Sequence, residues 1–256
     1  QLAEWARLIQ TSDRPSASLQ KLIEKTIDHT TQNEASFPII ILRGRDKKDN
    51  LDTGHYLAQL SGMQLLSINA TQLPSVTNDI TELTRLWNRE AFLYHYMLIL
   101  DCTTIDIHDI AKIHSLQSFV DKINSPLVIS TEEWIPEINQ KKIIIDVPKP
   151  SGAEQLKIWE SDLQSLKLLA KGTSEKIVSQ FNLSNSIIRM AASELKEKIE
   201  EAGVSDKTKI ENTLWKICSR YTEPKLEGLA QKMDTIAHWN DLVLPPPQKA
   251  ILKDLI

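Results

Sequence analysis

The stretch "FPIIILRGRDKKDNLDTGHYLAQLSG" (37–62) decides how the rest of the chain is read. Pro38 to Leu42 is an apolar, β-branched run that ends at Gly44, and a helix-like segment follows with Tyr56, Leu57 and Leu60 on one face. A strand, a glycine turn and a helix in that order are the opening unit of a parallel α/β sheet. The same unit binds phosphate when the turn reads G-x-x-x-x-G-K-[ST], because closely spaced glycines let backbone N–H groups curl around the anion. Here the turn reads G-R-D-K-K-D-N-L. Gly44 could start such a loop and Lys47 or Lys48 could meet a phosphate, but the second glycine is missing. No Ser or Thr follows a lysine to hold Mg²⁺.

Working outward, four more short apolar runs follow: "QLLSI" (64–68), "YMLIL" (96–100), "PLVIS" (126–130) and "KIIIDV" (142–147). They are continuous rather than alternating, the pattern of parallel strands covered on both faces. The segments between them are long enough for crossover helices. The expectation is a five-stranded parallel α/β sheet over about residues 35–150, with helices on both faces.

Beyond "VPKPS" the pattern changes. "SGAEQLKIWESDLQSLKLLA", "SEKIVSQF", "SNSIIRMAASELKEKIEEAG" and "DKTKIENTLWKICSRY" repeat at helical spacing. They predict an all-helical lid domain over 151–222, with Ser184 and Asp206 as N-caps and Gly203 ending the third helix. Residues 1–34 read as two amphipathic helices. The first carries Leu2, Trp5, Leu8 and Ile9, and the second is capped by Ser18. Residues 223–256 read as a linker, with "WNDLVLPPPQ" forcing an extended turn. The chain starts at Gln1 inside one helical pattern and stops inside another, so it reads as part of a longer polypeptide.

Composition bounds the function. With 41% hydrophobic and 25% charged residues the chain has the make-up of a globular domain. A net charge of −4 gives nucleic-acid binding no support. No window approaches a membrane span and no signal peptide is visible. Cys102 and Cys218 lack metal-ligand spacing and read as reduced thiols of a cytoplasmic protein. Seven glycines in 256 residues are too few for a full dinucleotide or phosphate-loop site beside the ordinary turns.

Ligands of open parallel sheets bind at the carboxyl ends of the strands. The third apolar run ends in Asp101, the position of an acid that holds a Mg²⁺ shell, but Cys102 stands where a water-activating carboxylate would follow. The fourth run ends in Ser130 and Thr131, which could sense a phosphate, and Arg189 in the helical region could turn toward one. Each has a plainer reading: an exposed loop for Lys47 and Lys48, a loop hydrogen bond for Asp101, a surface ion pair for Arg189. Asp106, His108 and Asp109 form no ligand spacing and read as loop residues. The six tryptophans are dispersed, as core or partner anchors are.

The order of helices, five apolar strands, an acid-ended third strand, a polar-ended fourth and a helical lid resembles an AAA+ ATPase module. The tail is more specific. "LEGLAQKMDTIAHWNDLVLPPPQKAILKDL" (226–255) is similar to the segment leading into the catalytic module of a group of bacterial tandem AAA+ ATPases. Leu226, Leu229, Ala230, Trp239, Asp241, Leu242, Val243, Leu244, Pro245, Gln248 and Leu252 carry that likeness. Some of these ATPases are encoded with contractile, phage-tail-like injection systems. The resemblance implies a degenerate module with a vestigial nucleotide site (Gly44, Lys47, Lys48, Asp101, Thr131 and Arg189) and no catalytic residue or metal of its own. ATP and Mg²⁺ are then expected in a following module. It also implies protein partners, a homo-oligomeric ring such as a hexamer, and a linker or partner surface at Trp239, Asp241, Leu242, Val243, Leu244 and Pro245. Two alternatives stand beside it. One is a weak nucleotide-binding switch using Lys47, Lys48, Asp101 and Arg189. The other is a receiver-like phosphoacceptor built on Asp101, Thr131 and Lys149.

Overall fold

The structure, a computed structural model, describes residues 5–11, 13–33, 37–132, 137–163, 172–202 and 207–222, together with Pro245 and Gln248. Residues 1–222 form one compact unit and 223–256 a second. The linker positions Trp239, Asp241, Leu242, Val243 and Leu244, and the cap and stop at Asp206 and Gly203, lie outside the described residues.

The five apolar runs are all strands: β2 (Ile39–Arg43), β3 (Gln64–Asn69), β4 (Tyr96–Asp101), β5 (Leu127–Thr131) and β6 (Lys142–Asp146). They are mutually parallel in the spatial order β3-β4-β5-β2-β6. A sixth strand, β1 (Arg7–Leu8), adds antiparallel to β3 at the edge, with Arg7 opposite Ser67 and Leu8 opposite Leu66. The expectation of five strands is corrected to six, and the expected first helix gives way to an edge strand among its described residues. Ile9 extends this pairing through its N–H to the Leu65 carbonyl at 2.9 Å. Two paired residues show no periodicity of their own, so the exposed edge of β3 decides the conformation.

Three of the connections between parallel strands carry a helix. These are α2 (Lys47–Leu60) after β2, α3 (Thr77–Tyr94) after β3 and α4 (Ile110–Lys122) after β4. Alternate residues of each strand point to opposite faces. Ile39, Ile41, Leu98, Leu100, Leu127 and Ile129 pack against α3 and α4 around Trp87, Leu116 and Phe119. Ile40, Leu42, Met97, Ile99 and Val128 pack against α2 and α1 (Ala17–Asn33), through Tyr56, Leu57, Leu19 and Ile23. Trp87 is fully buried, and its indole N–H donates to Ser125 Oγ at 2.7 Å. Ser18 does not cap α1. It lies inside the first turn, and its N–H and hydroxyl donate to Glu154 Oε1 at 3.1 and 2.8 Å.

The helical region holds α5 (Gly152–Leu163), α6 (Thr173–Gln180), α7 (Asn185–Ala202) and α8 (Lys207–Thr222). They enclose a separate apolar core of Trp159, Leu163, Ile177, Leu183, Ile188, Leu195, Leu214 and Ile217 among others. Trp215 is half-exposed, edge-on to Phe181 at 4.9 Å between ring centroids. Among the described residues no helix is long and apolar enough to cross a membrane.

Candidate functional site

A cleft of about 1120 Å³ opens at the carboxyl ends of β2 and β6. Its walls are the turn from Arg43 to Asp49, the segment from Asp146 to Gly152, and Asn182, Ser184 and Ile187 of the helical region. This is where an open parallel sheet binds its ligand, and the start of α2 faces it.

The start of α2 is already capped by the chain itself. Asp46 is the N-cap, and its Oδ1 accepts from the N–H groups of Lys48 and Asp49 at 2.9 and 3.2 Å. Its Oδ2 accepts from the hydroxyls of Ser184 and Ser186 at 2.6 and 2.9 Å. Asp49, one turn into α2, accepts from the backbone N–H of Asn185 and of Ser186 at 3.2 and 2.9 Å. The positive ends of α2 and α7 therefore share two carboxylates. Burial, and secondarily the charge of Asp46, push Asp49 up to about 6 despite the hydrogen bonds from Ser186 and Asn185.

Gly44 is needed for packing. A Cβ there would lie 2.5 Å from Asn50 Oδ1 and 2.9 Å from Val147 Cβ. The Asn50 amide fills the turn, donating to the Gly44 carbonyl at 2.9 Å and to Ser130 Oγ at 3.0 Å. Gly44 N–H donates to the Thr131 carbonyl at 2.9 Å. Of the N–H groups that would curl around a phosphate, that of Gly44 is tied to β5 and those of Lys48 and Asp49 to the Asp46 carboxylate.

The sequence-derived site residues fall into two sets. Gly44, Lys47, Asp101 and Thr131 come together at the strand ends. Lys47 Nζ lies 2.5 Å from Asp101 Oδ2, an ion pair by distance that lacks the angles of a hydrogen bond. The other oxygen of Asp101 accepts from the Thr103 N–H and hydroxyl at 3.1 and 2.7 Å. Lys48 and Arg189 meet elsewhere, on Asp13. Lys48 Nζ is 2.5 Å and Arg189 Nη1 2.6 Å from its oxygens, and Lys48 also reaches Asp52 at 3.1 Å. Burial raises the Asp13 pKa, but Lys48 and Arg189 outweigh it and hold the carboxyl below its usual range. Lys149 donates to the Asn182 carbonyl at 2.7 Å. Asp109 caps α4, accepting from Lys112 N–H at 3.1 Å.

Cys102 and Cys218 are buried free thiols. Burial, and for Cys102 also Asp101, pushes Cys102 up, and burial pushes Cys218 up to about 12. Neither has the character of a nucleophile. Among the described residues no three His, Cys, Asp or Glu side chains gather as a metal site.

This donor set does not fit a nucleotide phosphate and its Mg²⁺. An anion at the start of α2 would meet Asp46 and Asp49, and the ammonium groups of Lys47 and Lys48 are committed to Asp101, Asp13 and Asp52. Sequence reasoning passed over Asp13, Asp49 and Asn50 because their partners lie far along the chain. For Asp46 and Asp49 a local signal exists: an acid, two residues and a second acid at the start of a helix is the spacing of an N-cap and the third residue of the helix.

Residues 151–224 match the protein-family model described as "Contractile injection system ATPase helical domain". That segment begins beside α5 and takes in α5 to α8. Among solved structures the chain is similar to the one titled "Structure of C. elegans PCH-2", at 11% identity and a TM-score of 0.48, covering 80% of this chain and 66% of that one. No curated protein matches the chain.

Proposed function

We propose that this chain is a non-catalytic regulatory and assembly module of a ring-forming AAA+ ATPase, with ATP and Mg²⁺ handled by a following module. The observation that carries this reading is the start of α2. The position of a bound phosphate is taken by the carboxylates of Asp46 and Asp49, each hydrogen-bonded to the first turn of α7. Lys47 on Asp101 is, in the same way, an internal cation against the acid that would hold a metal shell. Gly44, Lys47, Lys48, Asp101, Thr131 and Arg189 are then a vestigial site whose charges are neutralised within the chain. The family match over 151–224 supports a place in a contractile injection system ATPase. In this reading α5 to α8 are the lid of a degenerate AAA+-like module in a bacterial, cytoplasmic protein. Its partners are proteins, including copies of itself in a ring such as a hexamer, and Trp239 to Pro245 link it to the catalytic module. Nucleic acid and membrane have no part in it.

The test is turnover. Purified chain with Mg²⁺ and ATP is expected to release phosphate at the rate of a buffer blank. Turnover above that rate, abolished by Asp101→Asn, would overturn the proposal. The cleft of about 1120 Å³ keeps one second reading open, a weak nucleotide switch without hydrolysis. Binding without turnover separates the two.

A further inference from the structure

Among the described residues the apolar clusters of the sheet and of the helical region are separate. The two clusters on the sheet draw on β2 to β6 and on α1 to α4, and the third on α5 to α8 and the loop before α7. Polar groups join the two regions: Ser18 of α1 donates to Glu154 of α5, and a larger set gathers on the first two turns of α7. Asp46 takes the hydroxyls of Ser184 and Ser186, and Asp49 takes the N–H groups of Asn185 and Ser186. Asp13, on the segment before α1, holds Arg189 of α7 and Lys48 of α2 at once. Beside it the Asn185 side chain donates to the Arg14 carbonyl at 2.6 Å.

We infer that Asp13, Asp46 and Asp49 form a latch that fixes the angle between the helical and sheet regions, with the segment 13–16 as its strap. This goes beyond the proposed function and does not depend on it, since the latch is defined by hydrogen bonds within the chain. Two physical points carry it. Hydrogen bonds to charged groups are strong and directional, so three carboxylates on the first two turns of one helix define an orientation. An apolar core, by contrast, resists division because separating it exposes hydrocarbon to water. A junction made of the first kind of contact, between two regions that each keep their own core, opens by rotation without unfolding either side. Release of the strap and the carboxylates leaves Ser18 on Glu154 as a pivot between α1 and α5, about which the helical region turns as a body.

The experiment is a pair-distance measurement on the full 256-residue chain by electron spin resonance. Spin labels sit at Glu82→Cys on α3 and Lys209→Cys on α8, both exposed, while Cys102 and Cys218 are buried. The unlatched variant carries Asp13→Ala, Asp46→Asn and Asp49→Asn, and asparagine at 46 keeps a side-chain cap on α2. A second variant, Ser184→Ala with Ser186→Ala, removes only the hydroxyls from the α7 side and leaves every charge in place. The expected result is one narrow distance for the parent and loss of that single distance in both variants, with helix content and the tryptophan near-ultraviolet signal retained. A parent-like narrow distance in both variants would overturn the latch. So would loss of the tryptophan signal in the hydroxyl variant, since the junction would then belong to one indivisible core.

Discussion

At the scale of single residues, the charge on Asp49 is the most exposed to test. Its folded pKa of about 6 lies above the ordinary 3.8, so the folded protein binds a proton more readily than the unfolded chain. Ionising it at neutral pH opposes folding by a few kcal/mol at most, and that cost is relieved as pH falls from about 7 toward 5. The groups around it are Asp46, with which it shares the start of α2, and the Ser184–Ser186 turn; Lys48 is held on Asp13 and Asp52. Asp13, Asp146, Glu154 and Glu194 have lowered pKa values, so the stability they supply is lost only at pH values below this window. Thermal melts of the parent and of Asp49→Asn between pH 7 and pH 5 are expected to diverge, the parent gaining stability relative to the variant as pH falls. Parallel curves would remove Asp49 as the titrating group. Gly44→Ala is expected to cost about 1–3 kcal/mol in urea unfolding, because a methyl group there meets the Oδ1 of an Asn50 amide whose nitrogen is already fixed by two hydrogen bonds. A neutral result would mean that the turn can give way.

At the scale of elements, the sheet was the most legible part of the sequence. Runs such as Ile39–Leu42 and Met97–Leu100 are buried on both faces, so nearly every residue reports the strand. The four helices after Pro150 were legible because each has one apolar stripe. The edge strand Arg7–Leu8 was not, since its conformation is set by β3, about sixty residues away in sequence. The capping of α2 by Asp46 was half legible: the cap is local, but Ser184 and Ser186, its other donors, are 138 and 140 residues distant. Asp46→Ala removes both roles and is expected to cost at least the 0.5–2 kcal/mol typical of an N-cap, whereas Asp46→Asn keeps most of the cap. Equal losses in the two variants would show that the cap contributes little. Trp87→Ala, which empties the space between α3 and the sheet, is expected to cost about 3–5 kcal/mol. A smaller loss would mean that α3 collapses into the gap.

For the whole molecule, the sequence showed that the turn after β2 lacks a phosphate loop, yet it left Lys47, Lys48, Asp101 and Arg189 free to make up a weaker site. Geometry divides that set. Lys47 and Asp101 neutralise one another, and Lys48 and Arg189 bind Asp13. Which partner each charge takes depends on distances across the fold, and no spacing in the chain encodes them. The internal occupation of the α2 start is the central claim, and calorimetry with a non-hydrolysable ATP analogue and Mg²⁺ tests it most directly. No heat of binding is expected at high protein concentration. Saturable binding that is lost in Lys47→Ala and Asp101→Asn would contradict it, because those two side chains would then be serving a ligand.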